Sequence, residues 1–346
     1  MTKPDAFPTE RPILVTGGAG FIGSHFVRHW LTHVGAKVVT LDALTYAGRT
    51  ESLAAALDDP RHTFVQGDIG DGPLVADLLR THRPMAIVHL AAESHVDRSI
   101  RAPATFVQTN IVGSHVLLEA ALQYCKAVLP ANERSDFRFV YISTDEVFGE
   151  MPPGARADET SPFRPSSPYA ASKAAADHLV ASYGRTYGLP FVTIHPSNNY
   201  GPNQHEEKLI PFFISRGIRG EPMPLYGDGR QIRNWLFVED CCRAIELVVR
   251  RGRPGERYVL GGNGRERSNL EVAHGIADLL DELRPLPAGG SRRGLVTQVA
   301  DRPGHDRRYM TSYDKMTREL GWRPSVAFEQ GLRRTVEWYL ENTSEP

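Results

Sequence analysis

The sequence predicts an α/β fold, a Rossmann-type doubly wound parallel sheet with a smaller C-terminal region. Short apolar runs rich in β-branched residues alternate with helical patterns through the first 200 residues. A glycine-rich turn follows the first of these runs directly. After about residue 202, Gly and Pro interrupt shorter segments instead. Repeated strand–helix–strand order is typical of a doubly wound sheet.

The apolar runs are short and apolar on both sides, which is typical of buried strands in a parallel sheet. They are residues 13–16, 37–41, 63–65, 86–90, 137–142 and 191–194. In the later part, residues 270–284 and 328–341 have helical patterns. We therefore expect a dinucleotide-binding domain over residues 1–200, to which later segments can return, and a smaller region over residues 201–346.

Composition excludes several classes of protein. The 346 residues are 41% hydrophobic and carry a formal net charge of −1, so a large core is expected and no global field attracts nucleic acid or an anionic membrane. The three cysteines, Cys125, Cys241 and Cys242, form neither a disulfide framework nor a zinc pattern. With no signal-like start and no long apolar segment, we expect a cytoplasmic protein.

The turn after the first strand carries glycines three residues apart, Gly17, Gly20 and Gly23, directly before a helical run. Such a turn lets the backbone approach a pyrophosphate at a helix N-terminus. Asp42 ends the second apolar run, about 20 residues after the last glycine, where a carboxylate binds an adenosine ribose diol. These features favour NAD over NADP, although Arg49 lies close in sequence. A tight turn without a ligand is the alternative.

The other residues expected to contact NAD lie in the glycine turn and after the third and fourth apolar runs. They are Phe21, Ile22, Asp68, Ile69, Leu90, Ala91 and Ala92.

Tyr169 and Lys173 lie four apart at the start of a helical segment, hence on one side of it. A nearby ammonium is expected to lower the pKa of the phenol towards a value suited to abstracting a hydroxyl proton. Thr144, Asp145 and Glu146 follow the fifth apolar run, at the end of the sheet where ligands bind. Both acids can reach one ligand only if the chain leaves strand geometry here. An acidic surface turn and an ordinary Tyr–Lys pair are the alternatives.

These motifs resemble the extended short-chain dehydrogenase/reductases, and within them most closely the dTDP-glucose 4,6-dehydratases. The similarity extends over residues 12–340. The matching stretches are TGGAGFIGS (16–24), DALTYAG (42–48), HLAAESHVDRSI (89–100), STDEVFG (143–149), SPYAASKAAADHLV (167–180), SNNYGP (197–202), EKLIP (207–211), YGDGRQIRNWLFVED (226–240) and ADRPGHDRRY (300–309).

The resemblance implies a reaction in which hydride leaves sugar C4 for NAD, water is eliminated across C5 and C6, and hydride returns to C6. It implies that Tyr169 is the base for the C4 hydroxyl, that Lys173 assists it, and that Thr144 hydrogen-bonds the C4 oxygen. Glu146 would take the C5 proton. Asp145 would protonate the leaving C6 hydroxyl, which requires a raised pKa.

The resemblance also implies a sugar-nucleotide site, mainly in the C-terminal region, and adds Asn199 to the NAD contacts. The expected substrate-binding residues are Ser94, Asn198, Glu207, Lys208, Leu209, Pro224, Tyr226, Arg233, Asn269, Arg302, His305 and Tyr309. The helical stretch 102–125 and the helix after Tyr169 resemble the pair that forms a homodimer interface in this superfamily; packing within one subunit is the alternative.

Three positions depart from the family pattern: Phe148, His195 and Asn234. Because of these departures, the resemblance does not determine which nucleotide base the substrate carries. The alternatives are a 4,6-dehydratase for another nucleotide-hexose, a 4-epimerase or decarboxylase, and an inactive NAD-binding module. The acidic pair, Asp145 and Glu146, argues against an epimerase. No metal is expected; a metal site formed by His89, Glu93, His95 and Asp97 is the alternative.

Overall fold

The computed structural model describes residues 10–263, 265–287 and 289–343. Its strands are β1 (Ile13–Thr16), β2 (Val38–Asp42), β3 (His62–Gln66), β4 (Ala86–His89), β5 (Arg138–Ile142), β6 (Phe191–Pro196), β7 (Asn199–Tyr200), β8 (Met223–Tyr226), β9 (Ile232–Arg233), β10 (Leu236–Phe237), β11 (Arg257–Leu260), β12 (Arg267–Ser268) and β13 (Val296–Val299).

The helices are α1 (Phe21–His29), α2 (Ala54–Leu57), α3 (Gly72–His82), α4 (Val96–Arg101), α5 (Pro103–Phe106), α6 (Ser114–Gln123), α7 (Pro168–Tyr187), α8 (Leu209–Arg219), α9 (Val238–Arg251), α10 (Asn269–Leu283), α11 (Asp314–Leu320) and α12 (Phe328–Asn342). Wider π-helical turns follow α1 at Trp30–Val34, join α5 to α6 at Val107–Gly113, and follow α6 at Tyr124–Val128. Single 3₁₀ turns lie at Thr50–Leu53, Asp145–Phe148 and Arg292–Leu295.

A seven-stranded sheet forms the centre of the molecule, in the order β11-β6-β5-β4-β1-β2-β3. All of its neighbouring strands run parallel. The strand order reverses at β1, which pairs with β2 on one side and β4 on the other. Such a reversal opens a crevice at the carboxyl ends of the strands, the usual ligand site of this fold. The predicted doubly wound α/β fold is confirmed.

Alternate residues of each strand pack into separate cores on the two sides of the sheet. Ile13 and Val15 pack in the core that includes the α1 residue Phe26 and the α9 residue Ile245. Leu14, between them, packs in the opposite core, with buried residues of α3, α6 and α7. Because both sides are covered, the strands read as continuous apolar runs in the sequence.

The strand–helix alternation extends further along the chain than predicted. α9 packs against α1, and β11 adds the seventh strand by pairing with β6. Residues 238–260 therefore belong to the sheet and its flanking layer, although they follow residue 202. The proposed domain boundary at residue 200 stays a prediction.

The C-terminal region has its own apolar core, formed by α8, α10, α12 and short strands such as β8. α10 and α12 correspond to the predicted helices at 270–284 and 328–341. Among the described helices, none combines the length and the apolar character needed to cross a bilayer.

Candidate active site

The glycine turn after β1 is shaped by two close backbone approaches. Gly17 has a φ of +72°, and a Cβ there would lie 2.5 Å from the amide nitrogen of Ala91. A Cβ on Gly23, within α1, would lie 2.1 Å from the Gly17 carbonyl oxygen. A side chain at either position would displace backbone, so the turn requires glycine. Gly20 is the N-cap of α1, so the first amides of this helix point at the crevice.

Asp42, at the end of β2, holds the same turn. Its Oδ2 accepts a hydrogen bond from the Ala19 amide and its Oδ1 accepts one from the Leu44 amide, both at 2.8 Å. Burial raises the pKa of this carboxyl, and these two backbone bonds oppose the rise. The side chain also lines the crevice, where its other lone pairs can accept further hydrogen bonds.

A cavity of about 300 Å³ occupies the crevice. All the residues predicted to contact NAD line it: Gly17, Gly20, Phe21, Ile22, Gly23, Asp42, Asp68, Ile69, Leu90, Ala91, Ala92, Tyr169, Lys173 and Asn199. Sequence analysis missed Thr45, Gln204 and His205, which also line it. All three lie in loops; Thr45 falls within the DALTYAG stretch, whereas Gln204 and His205 fall in none of the matching stretches.

Tyr169 and Lys173 enter the cavity from the first turns of α7. Ser167 caps this helix by accepting a hydrogen bond from the Ala170 amide. Lys173 Nζ donates to the Ile142 carbonyl oxygen at 2.7 Å and lies 4.4 Å from the centre of the Tyr141 ring. Burial lowers the pKa of Lys173 to about 7, and the charge of Asp177 opposes this shift. The ammonium is thus fixed at the end of β5.

The predicted fall in the Tyr169 pKa is not observed. Burial raises this pKa above its ordinary value, and the Glu146 charge adds to the rise, while a hydrogen bond with Thr144 opposes it. The ammonium of Lys173 is engaged by the Ile142 carbonyl instead. Spacing along α7 placed the two residues on one side of the helix, but it did not reveal how fully the phenol is buried.

Thr144, Asp145 and Glu146 leave strand geometry as predicted, because Asp145–Phe148 form a 3₁₀ turn directly after β5. Thr144 caps this turn by accepting a hydrogen bond from the Glu146 amide. All three residues line the cavity beside Tyr169 and Lys173. Both acids can therefore reach one ligand.

The two acids have different surroundings. Burial and the adjacent Glu146 raise the pKa of Asp145 to about 8. Its Oδ2 has no hydrogen-bond partner among the described residues. Burial also raises the pKa of Glu146, but the cations of Arg302, Arg233 and Lys208 oppose that rise. Asp145 is therefore placed to hold a proton, and Glu146 faces positive charge.

A second cavity of about 460 Å³ lies towards the C-terminal region, and Glu146 lines both cavities. The predicted substrate residues that line this second cavity are Asn198, Glu207, Lys208, Leu209, Pro224, Tyr226, Arg233, Asn269, Arg302 and His305. Ser94 lines the first cavity, where its carbonyl oxygen accepts a hydrogen bond from Lys208 Nζ at 2.6 Å. The apolar part of the wall includes Phe212, Phe213 and Trp235, which sequence analysis missed.

Tyr309 is the predicted substrate residue that lines neither cavity. Its buried ring lies 4.3 Å from the guanidinium carbon of Arg233, and its hydroxyl donates to Asp306 at 2.7 Å. Tyr309 therefore supports Arg233, and its direct contact with the substrate stays a prediction.

The three departures from the family pattern lie outside both cavities. Asn234 Nδ2 donates to Thr311 and Asn234 Oδ1 accepts from the Gly262 amide, which explains an amide rather than a carboxylate. Phe148 and His195 are buried in contact with each other.

A metal centre finds no support among the described residues, which contain no group of three His, Cys, Asp or Glu side chains arranged to hold an ion. His89, one of the residues considered, is instead held between Thr16 and Ser114 by hydrogen bonds of 2.8 and 2.9 Å.

Comparisons with known proteins agree with this geometry. Residues 14–335 match the family model described as GDP-mannose 4,6 dehydratase. The chain is 54% identical over 329 residues to the dTDP-glucose 4,6-dehydratase of Xanthomonas campestris. This match covers 95% of this chain and 93% of the relative. It is 52% identical over 340 residues to the dTDP-glucose 4,6-dehydratase 1 of Escherichia coli K12, and this match covers 96% of this chain and 93% of the relative.

Solved structures show the same relationship. The dTDP-glucose 4,6-dehydratase of Streptomyces venezuelae, crystallised with NAD, superposes with a TM-score of 0.86 at 47% identity over 96% of this chain and 97% of that one. The UDP-glucose 4-epimerase of Thermus thermophilus in complex with NAD superposes with a TM-score of 0.83 at 33% identity. The match covers 96% of this chain and 100% of that one. The chain therefore belongs to the dTDP-glucose 4,6-dehydratases, within the extended short-chain dehydrogenase/reductase family.

Proposed function

We propose that this protein dehydrates dTDP-glucose to dTDP-4-keto-6-deoxyglucose. The observation that carries the proposal is the turn bearing Asp145 and Glu146, which brings two acids of unlike surroundings to the cavity of Tyr169 and Lys173. A 4-epimerase needs only Tyr169 and Lys173 for proton transfer at the C4 oxygen, together with a C4 ketone that rotates before hydride returns to C4. A dehydratase also needs a base for the C5 proton and an acid for the C6 hydroxyl.

The first cavity fits NAD. The glycine turn at Gly17 and Gly23 admits a close backbone approach, and the N-terminus of α1 favours the pyrophosphate. Asp42 would bind the adenosine ribose, and Lys173 would bind the nicotinamide ribose. When bound, NAD supplies reversible two-electron chemistry, taking hydride from C4 and returning it at C6.

The side chains then move protons at defined atoms. Tyr169 takes the proton of the C4 hydroxyl in its ionised form, which burial disfavours in the protein alone and which the positive charge of the nicotinamide ring would favour when NAD is bound. Thr144 hydrogen-bonds the same C4 oxygen. The resulting C4 ketone acidifies the C5 hydrogen, and Glu146 removes it as a proton. When hydride returns to C6, Glu146 gives a proton back to C5, so that water is the only group lost. Asp145 donates its proton to the departing C6 hydroxyl, for which its pKa of about 8 keeps it protonated at neutral pH.

Cationic and amide side chains suit the diphosphate and nucleoside. Arg233 and Arg302 line the second cavity, and a guanidinium binds phosphate oxygens in a bidentate manner. Asn269 Oδ1, Asn198 Oδ1 and Arg302 Nε have no hydrogen-bond partner among the described residues. Buried polar atoms of this kind favour a polar ligand.

We also propose a homodimer formed through α5, α6 and α7 with the π-helical turns between and after them. Val107 and Val112 are 48% and 39% exposed there, and Tyr187 at the end of α7 is 48% exposed. Large apolar side chains exposed on neighbouring helices favour burial against a second copy. The three free, buried cysteines fit a reducing cytoplasm.

Incubation with dTDP-, UDP-, CDP- and GDP-glucose tests the activity. We expect a 4-keto-6-deoxy product, and fastest with dTDP-glucose; the thymine methyl contributes about 1 to 3 kcal/mol of preference over uracil. A galactose nucleotide without a keto product would identify an epimerase. Absence of turnover on all four substrates, with NAD still bound, would instead indicate an inactive binding protein.

A further inference from the structure

A cluster of buried polar side chains lies directly behind the site described above. Ser143, Asp177 and His195 are 6%, 2% and 0% exposed. Asp177 Oδ2 accepts hydrogen bonds from Ser143 Oγ at 2.5 Å and from His195 Nε2 at 3.0 Å. The carboxylate is thus held from two neighbouring strands, because Ser143 follows β5 and His195 lies on β6.

The same cluster is next to Lys173 in two ways. Asp177 follows Lys173 by four residues on α7, so the two side chains project from the same side of the helix. Lys173 Nζ donates to the carbonyl of Ile142, the residue directly before Ser143. The ammonium and the carboxylate therefore flank the same end of β5.

His195 is placed to donate to the carboxylate and is otherwise surrounded by aromatic rings. Its ring centre lies 5.1 Å from that of Phe148 and 5.7 Å from that of Phe163. Nδ1 has no hydrogen-bond partner among the described residues. Since Nε2 meets a carboxylate oxygen, that nitrogen carries the proton.

We propose that Asp177 is the counter-ion that favours the protonated form of Lys173, and that His195 and Ser143 are positioning residues that hold the Asp177 carboxylate in place. This inference rests on the proposed function only in so far as Lys173 assists Tyr169. Besides Lys173 and His195, the titratable or charged groups that act on Asp177 are Tyr141 on β5 and Arg257 on β11.

The direction of the effect follows from burial. A buried ammonium favours its neutral form, and the pKa of Lys173 is lowered to about 7 even with Asp177 opposing the shift. Asp177→Asn removes the opposing charge and keeps a side chain of the same shape. The pKa of Lys173 then falls further, and the lysine loses its proton at a lower pH.

A double-mutant cycle in unfolding tests the pair without any substrate. Asp177→Asn and Lys173→Met are combined, and each variant is unfolded in denaturant at pH 6 and at pH 9. We expect a coupling of about tenfold in the folding equilibrium constant at pH 6, where Lys173 is protonated, and a clear decrease at pH 9. Zero coupling, or equal coupling at both pH values, would overturn the proposal.

Asp240→Asn is the matched control. Asp240 is 1% exposed and accepts hydrogen bonds from the Ser325 and Val326 amides, at 2.9 and 3.0 Å. Its ion-pair partner is Arg243, which stays charged from pH 6 to pH 9. This variant should therefore lose the same stability at both pH values and show no coupling to Lys173.

Activity gives the second readout. In the wild type, C4 oxidation should decrease at alkaline pH as Lys173 loses its proton. In Asp177→Asn, the midpoint of this decrease should lie about one to two pH units lower. An equal loss at every pH would show a merely structural role and contradict the proposal. If the wild type makes no keto product, the proposed function fails, while the unfolding cycle still decides whether Asp177 and Lys173 are coupled.

His195 is tested with two replacements. His195→Phe fills the aromatic pocket but cannot donate to Asp177, whereas His195→Asn is smaller but can. The coupling between Asp177 and Lys173 is measured again in each of these two variants at pH 6. We expect it to keep its wild-type size in His195→Asn and to be mostly lost in His195→Phe. The opposite order would show that His195 acts by packing and would remove it from the proposal. If Asp177→Asn does not fold, these two variants, each combined with Lys173→Met, decide the question.

Discussion

Asp145 and Glu146 are adjacent in the chain, yet their surroundings differ in the way that the two proton-transfer roles proposed for them require. Burial and the neighbouring Glu146 raise the pKa of Asp145 to about 8, so this carboxyl is protonated at neutral pH. Glu146 is instead surrounded by Arg302, Arg233 and Lys208, which favour its ionised form. One residue can thus serve as acid and the other as base.

Replacing Glu146 by Gln separates the steps of the reaction. Without the carboxylate, loss of the C5 proton should slow by about 10²-fold or more, while C4 oxidation continues. Absorbance of reduced nicotinamide should then accumulate on the enzyme after dTDP-glucose is added. Tyr169→Phe is the control, since it should suppress that absorbance. Elimination at the wild-type rate in Glu146→Gln would show that another group is the base.

The Asp145 pKa gives a prediction for pH. Since the acid must be protonated, dehydration should fall as pH rises through about 8. The raised pKa also favours the folded state at low pH, and this contribution is lost as pH rises from Asp145's ordinary pKa of 3.8 to about 8. Asp145→Asn should therefore slow turnover and make stability less dependent on pH over that interval. Rate profiles and denaturant midpoints at several pH values measure both effects.

Residue types and the family resemblance were sufficient to predict that a phenol, an ammonium and two acids line one cavity, and the catalytic roles of these groups stay predictions. They were not sufficient to predict that Tyr309 lies outside both cavities, or that the Tyr169 pKa is raised. Both depend on burial, which involves side chains far apart in sequence. Tyr309, for example, supports Arg233 from a loop more than 70 residues further along the chain.

At the scale of elements, the junction of β1 and α1 is the most constrained part of the cofactor site. Gly17 and Gly23 allow the turn to close on itself, since a side chain at Gly23 would contact the Gly17 carbonyl. Sequence analysis predicted this element because its glycines, strand and helix are contiguous. It did not predict α9 and β11, since β11 has only four residues and gains its stability from pairing with β6.

Gly23→Ala tests the turn. A Cβ 2.1 Å from a backbone oxygen forces a shift of the turn, which we expect to cost about 1 to 3 kcal/mol of stability and to weaken NAD binding about tenfold or more. Titration of the apoprotein with NAD measures the affinity. Gly294→Ala is the control, because a Cβ there meets nothing within 4 Å. Unchanged NAD affinity in Gly23→Ala would contradict the assigned role of the turn.

At the scale of the whole molecule, the proposed dimer places the α5 to α7 surface against its copy. Val112→Asp should convert the dimer to a monomer in analytical ultracentrifugation, because an unpaired carboxylate buried in an interface costs about 3 kcal/mol or more. Leu57→Asp is the control, since Leu57 is 43% exposed on α2, outside this surface. A dimer of unchanged affinity in Val112→Asp would place the interface elsewhere.

The position of β11 has a consequence for biosynthesis and engineering. Residues 257–260 complete the sheet beside β6. A nascent chain on the ribosome therefore lacks this edge strand until about three quarters of the chain has been made. Premature termination before that point leaves β6 with an unpaired edge, which invites aggregation. A chimera that exchanges everything after residue 200 to alter nucleotide preference also exchanges part of the coenzyme-binding half.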